Sequence, residues 1–167
     1  DTWVNRSFSL SDLGFGDDVL LSGFDSRQEF YLPVPQMLKL ADATVDFRAH
    51  YYKAEEGRTS MVLFVNGRPV HSRRIEVSEG DASQVLKVDT SQRTNGFLRF
   101  RVNWQNNVGQ RICEVERSTG NVLSVSADTR FNYRFSSAAL TSLADAWLTL
   151  PAHPTLMVAS RKVSKAS

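Results

Sequence analysis

Hydrophobic and polar residues alternate with a period of two along most of this chain. In residues 44–52, Val45 and Phe47 fall on one side of the pattern and Asp46 falls on the other. Because successive side chains of a strand point to opposite faces, such alternation predicts β-strands with one buried and one polar face. Similar alternation or short apolar runs predict further strands at residues 2–10, 19–21, 29–34, 61–65, 70–75, 85–88, 97–104, 122–127 and 130–135.

Turn-forming residues separate these segments. Asn66-Gly67 stands between two apolar runs and predicts a β-hairpin, because both central residues of a type I′ turn need positive φ. Residues 11–14, Ser-Asp-Leu-Gly, predict another turn. Pro33 and Pro35 favour an edge strand, since proline cannot donate to the ladder. About nine or ten short strands with little helix predict an all-β fold, an antiparallel sandwich or barrel.

The end of the chain has a different pattern. The apolar residues of 140–148 fit a short helix or turn, two prolines then break the chain, and residues 155–159 predict one more strand. We expect residues 1–138 to form one β-domain. We expect residues 139–167 to be a linker and the start of a following domain.

Charge and hydropathy narrow the classes of partner. The net charge is +2, from 20 basic and 18 acidic residues, and this even balance predicts no nucleic-acid partner. The longest apolar run, residues 61–65, is far shorter than the roughly 20 residues that span a bilayer. No signal-peptide pattern is present, and Asp1 as the first residue is expected of a mature or excised chain.

Metal and nucleotide chemistry finds little support in the residues. His50, His71 and His153 are scattered and lack cysteine partners, so we predict no metal site and no cofactor. The single cysteine, Cys113, is expected to be a small buried apolar residue. Residues 130–134 match half of the cyclic di-GMP-binding motif of PilZ domains (Arg-x-x-x-Arg), but its companion Asp/Asn-x-Ser-x-x-Gly does not follow.

Catalytic groups are equally weakly indicated. Asp17 with Asp18, or Glu114 with Glu116, could supply the two carboxylates of a glycosidase, although surface carboxylates are common and nothing in the sequence sets their separation. The chain contains neither a Gly-x-Ser-x-Gly elbow nor a Gly-rich phosphate loop. We therefore expect a domain without enzymatic activity.

The polar faces of three predicted strands carry the residue types that bind sugars. An aromatic ring can cover the apolar face of a sugar, while Arg and Asn reach its hydroxyls or an acidic substituent. Neighbouring strands would join these faces into a platform; an ordinary solvated sheet face is the alternative. Trp104 falls on the same face of its strand as Leu98 and Phe100, so we expect it in the core instead. The candidate carbohydrate-binding residues are Arg48, His50, Tyr52, Phe97, Arg99, Arg101, Asn103, Arg130, Asn132, Arg134 and Trp3.

Seven short segments carry a further signal in their order and spacing along the chain: residues 7–14, 21–25, 43–51, 63–70, 113–114, 124–129 and 150–159. In this order they resemble the first carbohydrate-binding-like domain of the BcsB family, the periplasmic partners of bacterial cellulose synthases. The family's Cys-Glu-Asp-Pro stretch reads Cys-Glu-Val-Glu at residues 113–116. This departure is expected of a divergent member, whose polymer does not follow from the resemblance.

The resemblance implies a jelly-roll β-sandwich, followed by an α/β domain that residues 139–167 would begin. It implies a periplasmic protein held at the inner membrane by a C-terminal helix outside this chain. Its partners would be a β-glucan or related exopolysaccharide and the membrane-embedded cellulose synthase catalytic subunit, which holds the cyclic di-GMP site. The domain would bind or steer the polymer, with a purely structural docking role as the alternative. A second alternative is an accessory fold with lyase or hydrolase activity, which release of reducing ends from β-glucans would reveal.

Overall fold

The computed structural model describes residues 2–34, 40–54, 57–89, 96–107 and 120–137. These residues form twelve β-strands, and each pair of neighbouring strands is antiparallel. The predicted all-β antiparallel fold is therefore confirmed. The strands are β1 (Trp3–Ser9), β2 (Val19–Ser22), β3 (Asp25–Pro33), β4 (Leu40–Phe47), β5 (Ala49–Lys53), β6 (Arg58–Val65), β7 (Arg68–Ile75), β8 (Glu79–Asp81), β9 (Gln84–Lys87), β10 (Phe97–Asn107), β11 (Asn121–Val125) and β12 (Arg130–Ser136).

The strands pair into three four-stranded sheets. Sheet A has the order β1-β12-β4-β9, sheet B the order β2-β11-β5-β8 and sheet C the order β3-β10-β6-β7. Sheets A and B together face sheet C. The ring centroids of Phe47 (sheet A) and Phe100 (sheet C) are 5.8 Å apart, and those of Tyr51 (sheet B) and Trp104 (sheet C) are 6.4 Å apart. The architecture is an antiparallel β-sandwich, whereas the jelly-roll connectivity stays a prediction.

Arg48 marks the junction between sheets A and B. The single strand predicted over residues 44–52 is wrong, because β4 ends at Phe47 and β5 begins at Ala49. The backbone N–H of Arg48 donates to Thr129 Oγ1 at 3.1 Å, and its carbonyl accepts from Thr129 Oγ1 at 3.2 Å and from the N–H of Ser126 at 2.8 Å. These bonds satisfy the backbone at the break, so the chain can leave one sheet for the other while the in–out alternation continues.

The core between the layers consists of the inward residues of the alternating pattern. In β10, Leu98, Phe100, Val102 and Trp104 are completely buried, as the alternation predicted. The indole N–H of Trp104 donates to the carbonyl of Asn121 at 3.2 Å, which satisfies its one polar atom. Burying a Leu, Val or Phe side chain stabilises a fold by roughly 1.5–3 kcal/mol. This burial fixes which face of each strand remains outside.

A buried polar cluster joins sheets B and C at one end of the core. Asn106 of β10 donates from Nδ2 to the carbonyl of Gly23 at 2.7 Å. Its Oδ1 accepts from Thr59 Oγ1 of β6 at 2.9 Å and from Asn121 Nδ2 of β11 at 3.1 Å. The side chains are nearly inaccessible to water, so these bonds replace those that solvent would otherwise supply.

The Asn66-Gly67 hairpin is confirmed. Asn66 has a φ of 50° and Gly67 a φ of 80°, both positive as a type I′ turn requires. The Asn66 Oδ1 accepts from the backbone N–H of Arg99 at 3.0 Å, and the N–H of Asn66 donates to the carbonyl of Arg99 at 2.8 Å. The turn is therefore attached to β10 and closes the β6–β7 pair beside it.

Two further predictions are confirmed, and one short strand was missed. The edge position of the strand containing Pro33 is confirmed, because β3 is the first strand of sheet C. The turn at residues 11–14 is confirmed by the bond from the N–H of Gly14 to the carbonyl of Ser11 at 3.1 Å. Strand β8 was not predicted, because its three residues, Glu-Gly-Asp, are turn-like and form a strand only by pairing with β5.

The predicted elements and domain boundary beyond residue 137 lie outside the described residues, as does Pro35. In the part of the chain that the structure describes, no helix is long and apolar enough to cross a membrane.

Candidate functional site

A groove crosses the outer face of sheet A. Strand β12 lies between β1 and β4, which aligns Arg134 with Asn5 and Asp42, and Asn132 with Ser7 and Thr44. The side chains opposite one another across these strands border a depression of about 360 Å³. We call it the sheet A groove. Its lining residues are Asn5, Arg6, Ser7, Asp42, Thr44, Asn132, Tyr133 and Arg134.

Trp3 and Arg134 stand together at one end of the groove. The guanidinium carbon of Arg134 lies 4.8 Å from the centre of the Trp3 ring, and the same guanidinium forms an ion pair with Asp42. Trp3 keeps 50% of its surface exposed, so the indole still presents a large area to solvent. Asp42 therefore holds a cation against the aromatic ring, and the cation–π contact fixes how the ring is presented.

The middle of the groove is neutral and polar. Asn132, Thr44, Ser7 and Asn5 provide amide and hydroxyl groups, which can both donate and accept hydrogen bonds. Towards the other end Arg130 Nη1 donates to Ser7 Oγ at 3.4 Å. A set of neutral donors and acceptors next to an aromatic ring suits a hydroxyl-rich ligand.

Arg48, directly after β4, is not among the described residues that line the groove, whereas Tyr133 lines it from the core side. Arg48 forms an ion pair with Asp46 at 3.0 Å, which raises the pKa of the guanidinium further above its usual value. Tyr133 points into the core beside Phe8, and burial raises the pKa of its phenol. The cation of Arg48 is thus locally neutralised, and Tyr133 supports the groove from beneath.

The outer face of sheet C holds the candidates from β10. Phe97 is exposed, Arg99 lies near Glu29, and the guanidinium of Arg101 lies over the ring of Phe64. Asn103 lies on the same face by alternation, yet it is only 6% exposed. These four residues are on the opposite side of the sandwich from the sheet A groove.

The outer face of sheet B holds His50 and Tyr52. His50 Nε2 lies 3.2 Å from Glu79 Oε1 of β8, and Tyr52 is 54% exposed. Both residues are on β5, which pairs with β11 instead of β12. They therefore continue the same layer as the sheet A groove but do not line it.

The predicted candidates consequently divide among three faces. The structure brings Trp3, Arg130, Asn132 and Arg134 together, and it separates them from the β10 candidates and from His50 and Tyr52. Sequence reasoning missed groove residues on the two neighbouring strands. Alternation marked Asn5, Ser7 and Thr44 as outward, whereas Asp42 lay before the strand predicted over residues 44–52. Only the register of β1 and β4 on β12 brings these residues to the groove. Arg6, which alternation did not mark as outward, also lines the groove, so the missed residues on these two strands are Asn5, Arg6, Ser7, Asp42 and Thr44.

Alternative catalytic and metal groups can be placed only in part. The described residues contain no group of three or more His, Cys, Asp or Glu side chains suited to a metal ion. Asp18 accepts a hydrogen bond from the backbone N–H of Ala127 at 3.0 Å, which gives it a role in the loop structure. Cys113, His153, and Glu114 with Glu116 lie outside the described residues.

A sequence model of one protein family, "Cellulose synthase BcsB, first CBM domain", matches residues 4–137. The chain belongs to this family. The match includes all three sheets and the residues that line the groove, and it begins one residue after Trp3. It assigns the chain to a carbohydrate-binding domain of a cellulose synthase component. The predicted resemblance to BcsB is confirmed. No curated protein matches the chain.

Solved structures resemble this BcsB domain only distantly. Dimeric latent PorU from Porphyromonas gingivalis has 8% identity and a TM-score of 0.42 over 81% of this chain and 13% of that one. The insecticidal delta-endotoxin Cry8Ea1 from Bacillus thuringiensis has 12% identity and a TM-score of 0.39 over 70% of this chain and 19% of that one. The structure of T=1 particles derived from infectious bursal virus has 10% identity and a TM-score of 0.42 over 83% of this chain and 33% of that one. The chain thus spans a minor part of each, and similarity at this level has no bearing on function.

Proposed function

We propose that this domain is a non-catalytic module that binds or guides a β-glucan through the sheet A groove. The observation that carries the proposal is the juxtaposition of a half-exposed Trp3 with neutral amide and hydroxyl groups from three adjacent strands. A glucan presents alternating apolar faces and hydroxyl edges, which an aromatic ring and such polar groups complement. Membership of the BcsB family supports carbohydrate as the ligand.

We infer the setting of this function from membership of the family. In a BcsB-type protein the domain would act in the periplasm, beside a membrane-embedded synthase catalytic subunit, as part of a longer chain held at the inner membrane. Residues 139–167 would lead into its next, α/β domain. The polymer would be a β-glucan or a related exopolysaccharide, and the domain would assist its passage outward without cleaving it.

Affinity electrophoresis in native gels containing hydroxyethylcellulose tests direct binding. We expect the chain to be retarded relative to a gel without polymer. Trp3→Ala should weaken the retardation roughly two- to tenfold, if the aromatic contact contributes about 0.5–1.5 kcal/mol. Asn132→Ala should also weaken it, because the groove loses both its amide donor and its amide acceptor.

Phe24→Ala is the matched control, because Phe24 is an exposed aromatic residue outside the groove. It should leave retardation unchanged, and thermal melting should show that each variant is folded. If the unsubstituted chain is not retarded, direct binding is wrong and the scaffold role becomes the better account. Equal losses with Trp3→Ala and Phe24→Ala would also contradict a site in the groove.

A further inference from the structure

The outer face of sheet C carries more arginines than carboxylates. Its carboxylates are Asp25 and Glu29 of β3 and Glu76, which directly follows β7. Asp25 is paired with Arg27 at 3.0 Å, and Glu76 with Arg74 at 3.9 Å. The remaining cations come from two adjacent strands, β6 and β10, and none of them is a lysine. Arginine is more weakly hydrated than lysine and presents a planar fork that matches a carboxylate. The outward arginines are Arg27, Arg58, Arg74, Arg99 and Arg101.

Tyr31, Glu29 and Arg99 form an ordered group at one end of this face. Tyr31 is directly opposite Arg99 in the β3–β10 ladder and is 57% exposed. Its hydroxyl donates to Glu29 Oε2 at 3.0 Å, and this bond raises the pKa of the phenol. Arg99 Nε lies 4.0 Å from the other oxygen of Glu29. One carboxylate thus orients the aromatic ring and the guanidinium together.

Gly67 gives Arg99 the space that it occupies. A Cβ atom at Gly67 would lie 3.1 Å from Arg99 Nη2, so the guanidinium packs against the backbone of the hairpin. Arg99 is 45% exposed in this position. The hairpin and Glu29 therefore hold the arginine from two sides and leave part of its fork open to solvent.

Arg101 provides a second cation in line with Arg99. Its guanidinium carbon lies 4.1 Å from the centre of the Phe64 ring. Arg101 is directly opposite Glu29 in the β3–β10 ladder, but among the described residues it forms no ion pair, and its Nε is buried without a hydrogen-bond partner. The neighbouring Asn103 has its Oδ1 buried and likewise unpartnered in that part of the chain. The stacked guanidinium thus lacks the anion that Arg134 has in Asp42 on the other side of the sandwich.

We propose that the outer face of sheet C binds a carboxylated polysaccharide, with Arg99 and Arg101 taking its carboxylates and Tyr31 covering a sugar face. Charge complementarity argues for an anionic ligand, because the face has five outward arginines and three carboxylates, each of which already lies against an arginine of the face. The exposed, oriented ring beside the arginines argues for a sugar backbone. This site is separate from the sheet A groove and does not depend on its function.

Carboxymethylcellulose and hydroxyethylcellulose share a backbone and differ in charge, so native gels containing each polymer test the proposal. We expect stronger retardation in carboxymethylcellulose, with the excess falling as salt is added. Arg99→Gln and Arg101→Gln should each reduce that excess about two- to fivefold, the range for exposed ion pairs. Tyr31→Ala should reduce it as well. None of the three should alter retardation in hydroxyethylcellulose.

Lys87→Gln is the matched control, because it removes the same charge from an exposed position on sheet A. An equal loss with Lys87→Gln would mean attraction by overall charge and would overturn the proposal. So would equal retardation in the two polymers, or competition by polyglutamate as strong as that by carboxymethylcellulose, which would assign the face to protein carboxylates. Retardation in carboxymethylcellulose alone would sink the sheet A groove while supporting this site.

Discussion

The outer faces of sheets A and C carry similar side chains but treat their arginines differently. On sheet A, Arg134 is paired with Asp42 across the β4–β12 ladder and lies against Trp3. On sheet C, Glu29 accepts a hydrogen bond from Tyr31 and lies near Arg99. Arg101 is opposite Glu29 in the β3–β10 ladder, yet it stacks on Phe64 and forms no ion pair among the described residues. The arginine beside the sheet A aromatic ring is therefore neutralised by its ion pair, whereas the arginine stacked on the sheet C ring keeps its positive charge.

The difference teaches that cross-strand neighbours, more than composition, give a sheet face its chemistry. Arg134 is opposite Asp42, whereas Arg99 is opposite Tyr31. Directly opposite residues have Cβ atoms about 4.5–5.5 Å apart, close enough for one to determine the state of the other. Strands with alternating arginines therefore present an ion-paired arginine in one place and a stacked arginine without an ion pair, among the described residues, in another.

The largest expected effect comes from a substitution in the core that lies between the two faces. Phe100 packs between the sheets, 5.8 Å from Phe47 and 6.2 Å from Phe30 by ring centroids. Phe100→Ala should lower the free energy of unfolding by about 3–5 kcal/mol, because it leaves a cavity that the surrounding core side chains can fill only in part. Chemical denaturation measures this, and Phe100→Leu should cost much less. Similar losses of unfolding free energy from both variants would contradict tight packing around Phe100.

A smaller loss should follow from breaking the polar cluster that ties sheet C to sheet B. Asn106→Ala leaves the buried Thr59 hydroxyl, the Asn121 amide and the Gly23 carbonyl each short of a partner. We expect a loss of about 1–3 kcal/mol in unfolding free energy. Hydroxyethylcellulose retardation by the folded variant should remain, since the sheet A groove is elsewhere. A variant as stable as the unsubstituted chain would show that the cluster is dispensable.

Asp42→Asn should make sheet A more like sheet C. The substitution leaves Arg134 beside Trp3 without its carboxylate, and stability should change by no more than about 1 kcal/mol because the pair is on the surface. Retardation in carboxymethylcellulose should rise, and it should rise less when Arg134→Gln is added. If Asp42→Asn has no such effect, the contrast between the two faces does not depend on this ion pair.

The smallest effect concerns pH. Burial raises the pKa of Tyr133, so the folded state holds this proton to higher pH than the unfolded state does. Its contribution to stability is complete below the ordinary tyrosine pKa of about 10 and is lost as pH rises through the folded-state pKa. Thermal melts from pH 8 to pH 11 should therefore show a shallower alkaline decline for Tyr133→Phe. A parallel decline would mean that Tyr133 does not contribute.

Much of the fold could be predicted because its signals are local. Alternation identified the inward residues of β10, and the positive φ values that Asn66 and Gly67 favour identified the hairpin. Strand β8 escaped prediction because its pairing with β5 is what makes it a strand; Gly80 lies opposite Tyr51, where a Cβ atom would be 2.9 Å from the phenol oxygen. No pattern within three turn-like residues indicates this contact.

The candidate site could be predicted only in pieces. Trp3 and Arg134 were recognisable as outward aromatic and basic residues, but Asp42, which pairs with that arginine, carried no signal of its own. Asn103 shows the opposite case: alternation placed it outward, and it is nevertheless 6% exposed. Exposure depends on what neighbouring strands lay over a residue, which a pattern along one strand does not contain.

By itself the sequence determined that this protein is an antiparallel β-structure, which side of most strands is buried, and which family it resembles. Those properties follow from the two-residue period of a strand and from the order of short motifs. Only the tertiary structure decided that the chain changes sheets at Arg48, and that Trp3 of β1 joins residues of β4 and β12 while the arginines of β10 face away. These arrangements depend on pairing between strands as distant along the chain as Trp3 and Ser136, and on the burial of one shared core, which no local pattern encodes.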